Sequence, residues 1–339
     1  MKSLEVSFKN PFFKKASSSQ PYTTANPFRV MVHKEIADNI RSWRFTVLLA
    51  LIVLTFFGSM YVSLSNIATA VANVKDPGHL FLYLKLLTTT DGTLPPFHVF
   101  LNFLGPLLGI GLGFDAINSE QNSGTLIRLM AQPVYRDNLL LSKFISALII
   151  VSTLFFSLVL LMIGGGLLIT GVRIDPEEIL RIFSFTALSI AYVAFWLSLS
   201  ILLSVKFKQA ATSALTAIGI WLFFTIFYQM IVNMIAKALL PNPAFISPGQ
   251  TIYYNNIVLN VLRLAPGRLY TDAVTTLLMP SVRSLGPLTM EQMAGAIPSP
   301  LPFKESLMIV WPQVSGLVAA TVVCFAWSYY LFMRREIRN

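Results

Sequence analysis

The sequence predicts an all-α integral membrane protein, with six transmembrane helices, an amphipathic interface helix ahead of them and a short polar helix between the second and third. Three observations carry this. Of 339 residues, 55 % are hydrophobic and 12 % charged, and the mean hydropathy is +0.68, well outside the composition of an average soluble domain. Six apolar runs, 45–69, 97–114, 144–171, 182–205, 210–235 and 307–333, are long enough to cross about 30 Å of hydrocarbon, which takes roughly 17–25 helical residues. Lys and Arg are also spread unevenly over the connections, which assigns those connections to sides.

Residues 1–27 are polar and basic and are broken by Pro11, Pro21 and Pro27. They show no short apolar core followed by a cleavage site, so the first span is expected to act as the insertion signal and the tail to be flexible and cytoplasmic. Over 28–44, Phe28, Val32, Ile36, Ile40 and Trp43 share an arc of about 120° at ~100° per residue, with Arg29, Lys34, Glu35, Asp38 and Arg41 around the remainder. Such a helix lies in the membrane interface, either as a plain juxtamembrane anchor or as a lever bracing a cytoplasmic partner.

The second span holds Pro106, which a helix surrounded by neighbours tolerates when the freed carbonyl is satisfied locally. Gly105, Gly109 and Gly113 recur every fourth residue of that span. The stripe leaves a groove for a second helix backbone, either within the same subunit or at a subunit interface. Asn102, with Gln229 and Asn233 of the fifth span, either lines a substrate path or bonds across helices. Asp175, Pro176, Glu177 and Glu178 read as a capped helix start, with the acids favoured by the helix dipole. Residues 236–306 are rich in proline yet contain helical fragments such as "TIYYNNIVLNVLRL" and "GRLYTDAVTTLLM", and are expected to be short amphipathic or re-entrant helices on the extracytoplasmic side.

With six spans both termini share a side, and that side collects 16 Lys and Arg against 9 opposite. Both termini are therefore placed in the cytoplasm. The net charge of +10 suits lipid headgroups better than nucleic acid in a membrane protein. No GxxxxGK[ST] phosphate loop, no GxSxG elbow and no metal-ligand cluster around His33, His79 or His98 is present, and Cys324 stands alone. No catalytic or metal-binding residue is therefore assigned. None of the six runs contains an acidic or basic residue, which disfavours ion-coupled transport.

The passage "SEQNSGTLIRLMAQPVYRD", 119–137, interrupts two of the most apolar stretches. Ser123 and Thr125 favour helix initiation, Leu126, Leu129 and Met130 share one helical side, and Pro133 ends the run. The order of Glu120, Gly124-Thr125, an apolar turn, Pro133-Val134, Arg136 and Lys143 resembles the signature of ABC transporter permeases of the type 2 class. "VHKEIADNIRSWRF" is similar to that family's N-terminal interface helix and "APGRLYTDAV" to an outer segment before its last span, so the resemblance covers essentially the whole chain. The sequence departs from the family in its longer polar N-terminus and in Gln121-Asn122, where many relatives carry a basic residue.

The resemblance implies a permease subunit in the plasma (inner) membrane of a prokaryote. It would pair as a homodimer, or as a heterodimer with a second permease, and bind cytoplasmic ABC ATPase subunits. No cofactor is expected on this chain, ATP and Mg being held by the partner ATPase. The segment 119–137 becomes a coupling helix in which Leu126, Leu129 and Met130 pack into the ATPase. Glu120, Arg128 and Arg136 orient it, and Gly124, Thr125 and Pro133 shape it. Export of a hydrophobic or amphipathic substrate is the expected activity. The alternative is an ABC permease-like factor for envelope or cofactor assembly that exports no free solute.

Overall fold

A computed structural model describes residues 26–72, 81–89, 92–126, 136–239, 248–282 and 300–334. Among them there is no strand, and six helices are long and apolar enough to cross a membrane. Helix α1, Pro27–Arg41, is capped by Asn26. Ser42 then both ends α1, by bonding back to Asn39 O, and caps the next helix through the Phe45 N–H. The chain re-enters a helix at once as α2, Trp43–Ala72, the first span. Val32 and Ile36 pack inward, whereas Ile40 and Trp43 are exposed, so the apolar arc read from the sequence is shared between the core and the surroundings.

A short buried helix that the sequence did not suggest, α3 (Leu82–Thr88), covers the end of the bundle opposite α1. Helix α4, Phe97–Gly113, follows with the expected limits. After the short α5, Asn118–Asn122, comes the third span, α6 (Arg136–Thr170), which starts at Arg136 rather than at residue 144. The fourth is α7, Pro176–Lys206, in which Asp175 and Glu178 form the capping box. The fifth begins as α8, Ala210–Leu222, passes through a π-helical turn, Phe223–Phe227, and continues as α9, Tyr228–Leu239. Helices α10, Pro248–Leu262, and α11, Pro266–Leu278, precede the last span, α12, Phe303–Arg334.

Helix α7 is the most buried span, while α12 and the fifth span are the least. It packs against α4, α6, α8, α11 and α12. The glycine stripe explains the closest of these approaches. A Cβ at Gly109 would stand 2.7 Å from Val193 O and 2.9 Å from Leu197 N, and one at Gly113 would stand 3.0 Å from Leu197 O. The groove is thus filled by the fourth span of the same chain. Pro106 has no N–H to offer Asn102 O, and the Tyr192 hydroxyl of α7 donates to that carbonyl instead (3.1 Å).

Over its described part the 236–306 segment folds back along the bundle. Tyr270 of α11 stacks on Tyr192, with centroids 4.4 Å apart, and bonds to Ser189. Leu277 O accepts from Arg181, near the start of α7. Helix α11 therefore runs antiparallel to α7, and the α10–α11 tip reaches about half-way along it. Arg181 fixes this arrangement. Fully buried, it donates to Leu277 O, Ser306 Oγ, Leu301 O and Glu177, which joins α7 to the hairpin and to the start of α12.

Candidate functional site

Two polar regions stand out from the apolar bundle. The first lies at the α1 end. Glu35 from α1, Glu120 from α5 and Lys143 from the second turn of α6 converge, with Lys143 Nζ at 2.8 Å from Glu120 Oε1 and 3.0 Å from Glu35 Oε2. All three residues are buried. Lys34 closes the group at 3.4 Å from Glu35 and 3.9 Å from Glu120, and also pairs with the exposed Asp38 at 3.6 Å, so two lysines face two buried carboxylates and one exposed one. Taking these charges out of water costs several kcal/mol per ion, an amount recovered only through close pairing of this kind. Arg44 pairs with Asp115 beside them, and a cavity of about 290 Å³ lies between α1, the end of α4 and α5.

The backbone holds Glu120 in place. Ser204 Oγ of α7 accepts from the N–H groups of Ile117 and Asn118 and so anchors the start of α5. Gly124, at φ +70°, turns the chain out of α5 in the left-handed region that favours glycine. Thr125 Oγ1 donates to Glu120 O, and Leu126 is buried in the core. Arg136 is exposed at the first position of α6. Arg128, Leu129, Met130 and Pro133 lie outside the described residues. The described part of the 119–137 segment thus turns Glu120 and Leu126 toward the body of the protein and Arg136 away from it.

The second region is a cavity of about 220 Å³ half-way along α7, bounded by α4, α7, α9, the π-helical turn and the tip of the α10–α11 hairpin. Asn102, Trp196, Tyr228, Gln229, Arg268 and Thr271 line it. Asn102 and Gln229, grouped on the sequence as a path, do meet here. Asn233, one turn beyond Gln229, is exposed and is not part of the lining. The two arginines of the hairpin share one carboxylate, with Arg263 Nε at 3.2 Å from Asp272 Oδ2 and Arg268 Nε at 3.0 Å from Oδ1. Among the described residues no group of three or more His, Cys, Asp or Glu is placed to hold a metal ion.

Six apolar helices, a packed glycine stripe and a polar segment clamped between the second and third spans make up the frame of the protein. Residues 29–337 match the family described as ABC-2 family transporter protein. The chain belongs to the ABC-2 family. Two curated relatives are similar to this ABC-2 protein. The probable ABC transporter permease protein NosY of Pseudomonas aeruginosa is 27 % identical over 206 residues, covering 59 % of this chain and 67 % of the relative. The protein of the same name from Stutzerimonas stutzeri is 27 % identical over 152 residues, 42 % of this chain and 52 % of its own length. The alignment therefore spans only about half of the second relative. For an ABC-2 protein the buried Lys143 group is the feature that sequence reading missed in part. Glu120 and Lys143 stood in the signature, but nothing in the helical spacing of 28–44 set Glu35 apart from the other charges of α1.

Proposed function

We propose that this ABC-2 protein is the membrane-spanning permease subunit of an ATP-driven transporter, energised by separate cytoplasmic ATPase subunits, with the α1 end facing the cytoplasm and export as its direction. The observation that carries the reading is the Lys143 group. It ties the polar segment between the second and third spans to α1 and to the start of α6 at once, so a force applied to that segment is delivered to a spanning helix and not absorbed in a loose loop. Arg128 and Arg136 offer the ATPase charged hydrogen-bond donors, and Leu129 and Met130 offer apolar contact. The ATPase cycle then shifts rigid helices between two packings. Both relatives are named as probable ABC transporter permeases, which supports this reading.

Arg128→Glu combined with Arg136→Glu is expected to leave membrane insertion intact and to lower the amount of ATPase that co-purifies with the chain by about tenfold or more, the size of one or two lost charge-assisted contacts. Unchanged co-purification together with unchanged ATPase turnover would refute the assignment of 119–137 as the coupling segment.

A further inference from the structure

We infer that the half-depth cavity and an apolar cleft that continues it form one binding site for a single-chain amphiphile, which places an uncharged head bearing an N–H or O–H in the cavity and an alkyl tail in the cleft. The inference deepens the permease reading, and rests on it for the view that the bound molecule is cargo. The cleft, of about 270 Å³, lies between α9 and α10, where Val232, Ile235 and Ala236 face Tyr254, Ile257 and Val258. Apart from the Tyr254 hydroxyl, these side chains are wholly apolar. The two spaces lie end to end. Tyr228 and Gln229 of α9 and Leu262 of α10 line the cavity. Val232, one turn beyond Tyr228, and Val258, one turn before Leu262, line the cleft. At the join the Tyr228 hydroxyl donates to Val261 O (2.6 Å), so the same two helices wall both spaces. Cavity and cleft together reach the size of a small-molecule site, roughly 300–1,000 Å³, and share its usual make-up of a mainly apolar lining with a few polar groups that fix orientation.

The linings select the class of occupant. A small polar solute leaves the cleft without an apolar partner, and an alkane sets hydrocarbon against Asn102 and Gln229. A single-chain amphiphile suits both ends, and the stretch from Tyr254 to Val261, about 10 Å of helix, suits a tail of medium length. The cavity selects the head. Arg268 is the one charged residue of its lining and already meets Asp272 Oδ1 at 3.0 Å. Asn102 Oδ1 has no hydrogen-bond partner, so the head that fits brings a donor. An ammonium is opposed by the guanidinium, and a carboxylate or an ester brings acceptors alone. A hydroxyl or a carboxamide brings a donor for Asn102 and an acceptor for the Gln229 amide without a charge. Ile235 and Ile257 are exposed, as is Gln229, so the site opens along the side of the bundle, where an amphiphile dissolved in the bilayer reaches it. The π-helical turn, which distorts the fifth span just where Phe224 and Thr225 join the cavity lining, belongs to a class of distortion frequent at functional sites.

The test is binding of radiolabelled decanamide to the full chain in phosphatidylcholine nanodiscs, read in excess over empty nanodiscs. Saturable binding is expected, displaced by decanol as well as by unlabelled decanamide. Acetamide, which lacks the tail, and N,N-dimethyldecanamide, which lacks the donor, should compete about tenfold less well or worse, and so should decanoate. Ile257→Trp, at an exposed position of the cleft, should fill the tail space and weaken binding about tenfold. Gln229→Leu, at an exposed position of the cavity, should weaken it about twofold to tenfold, the scale of one neutral hydrogen bond. The two substitutions act at opposite ends of the site, and either serves if the other fails to fold. Binding no greater than to empty nanodiscs overturns the proposal, as does competition by acetamide, N,N-dimethyldecanamide or decanoate equal to that by decanamide, or binding indifferent to both substitutions. Because no ATPase is present, such a failure is separate from failure of the permease reading, which is decided by co-purification.

Discussion

At Gly109 the space for a side chain is closed by main chain. A Cβ there meets Val193 O at 2.7 Å and Leu197 N at 2.9 Å, whereas one at Gly105 meets only the Tyr192 ring and a Val193 methyl at 3.4 Å. Side chains yield by a few tenths of an ångström, but the backbone of α7 does so only by moving the helix. Gly109→Ala is therefore expected to destabilise the protein by about 1–3 kcal/mol, the usual cost of overpacking, and Gly105→Ala to leave it nearly unchanged. Thermal unfolding in detergent, comparing the two variants, checks this. Equal effects would show that the α4–α7 approach is softer than its geometry states. The stripe was legible in the sequence as a groove, but its occupant was not, because three glycines at every fourth residue say nothing of which helix comes to lie on them.

At the scale of elements, the join between α1, α5 and α6 depends on one buried ammonium. Lys143→Met would leave Glu35 and Glu120 facing each other with only the half-exposed Lys34 nearby, and is expected to cost about 3–5 kcal/mol. Adding Glu35→Met and Glu120→Met to the same chain should recover much of that loss, since an apolar group of similar volume replaces the whole ion cluster. Unfolding midpoints of the single and triple variants decide it. A triple variant no more stable than Lys143→Met would show that the charges are not coupled. The limits of most spanning helices could be read from hydropathy, but the third extends ahead of its apolar run because Arg136, Asp137, Asn138 and Lys143 interrupt the hydropathy of its first turns. The ion group itself was hidden. Its members are distant in sequence, and their pairing depends on the turn at Gly124 and on the angle at Ser42, which no periodicity records.

Across the whole molecule, Arg181 is the point where segments from the fourth span, the hairpin and the start of the last span are tied together. Arg181→Met keeps the apolar stem and removes the donors. Two carbonyls and a buried hydroxyl would then lack partners, at about 1–3 kcal/mol each. The expected outcome is loosening of the hairpin end, read as faster protease cleavage within 248–306 in the intact detergent-solubilised chain, with the α4–α7 core still folded. Cleavage at the wild-type rate would place the hairpin's anchorage elsewhere, in the Tyr270–Tyr192 stack and the Ser189 bond. The hairpin's helical fragments could be read from the sequence, whereas its depth could not, since that is set by Tyr192 and Arg181 on a helix far away in the chain.

The depth of the hairpin also has an electrical side. Polar groups of the tip and of the cavity reach the middle of α7, so in the proposed permease, with α7 crossing the hydrocarbon, the unbroken apolar layer at that point would be about half of the ~30 Å slab. A membrane voltage falls mainly across low-dielectric material, which in the proposed permease would be the tightly packed stretch around Gly109 and Gly113. A charged molecule passing between the cavity and the α1 end would therefore cross most of the transmembrane potential in one short step. Each elementary charge so moved is worth about 2.3 kcal/mol per 100 mV.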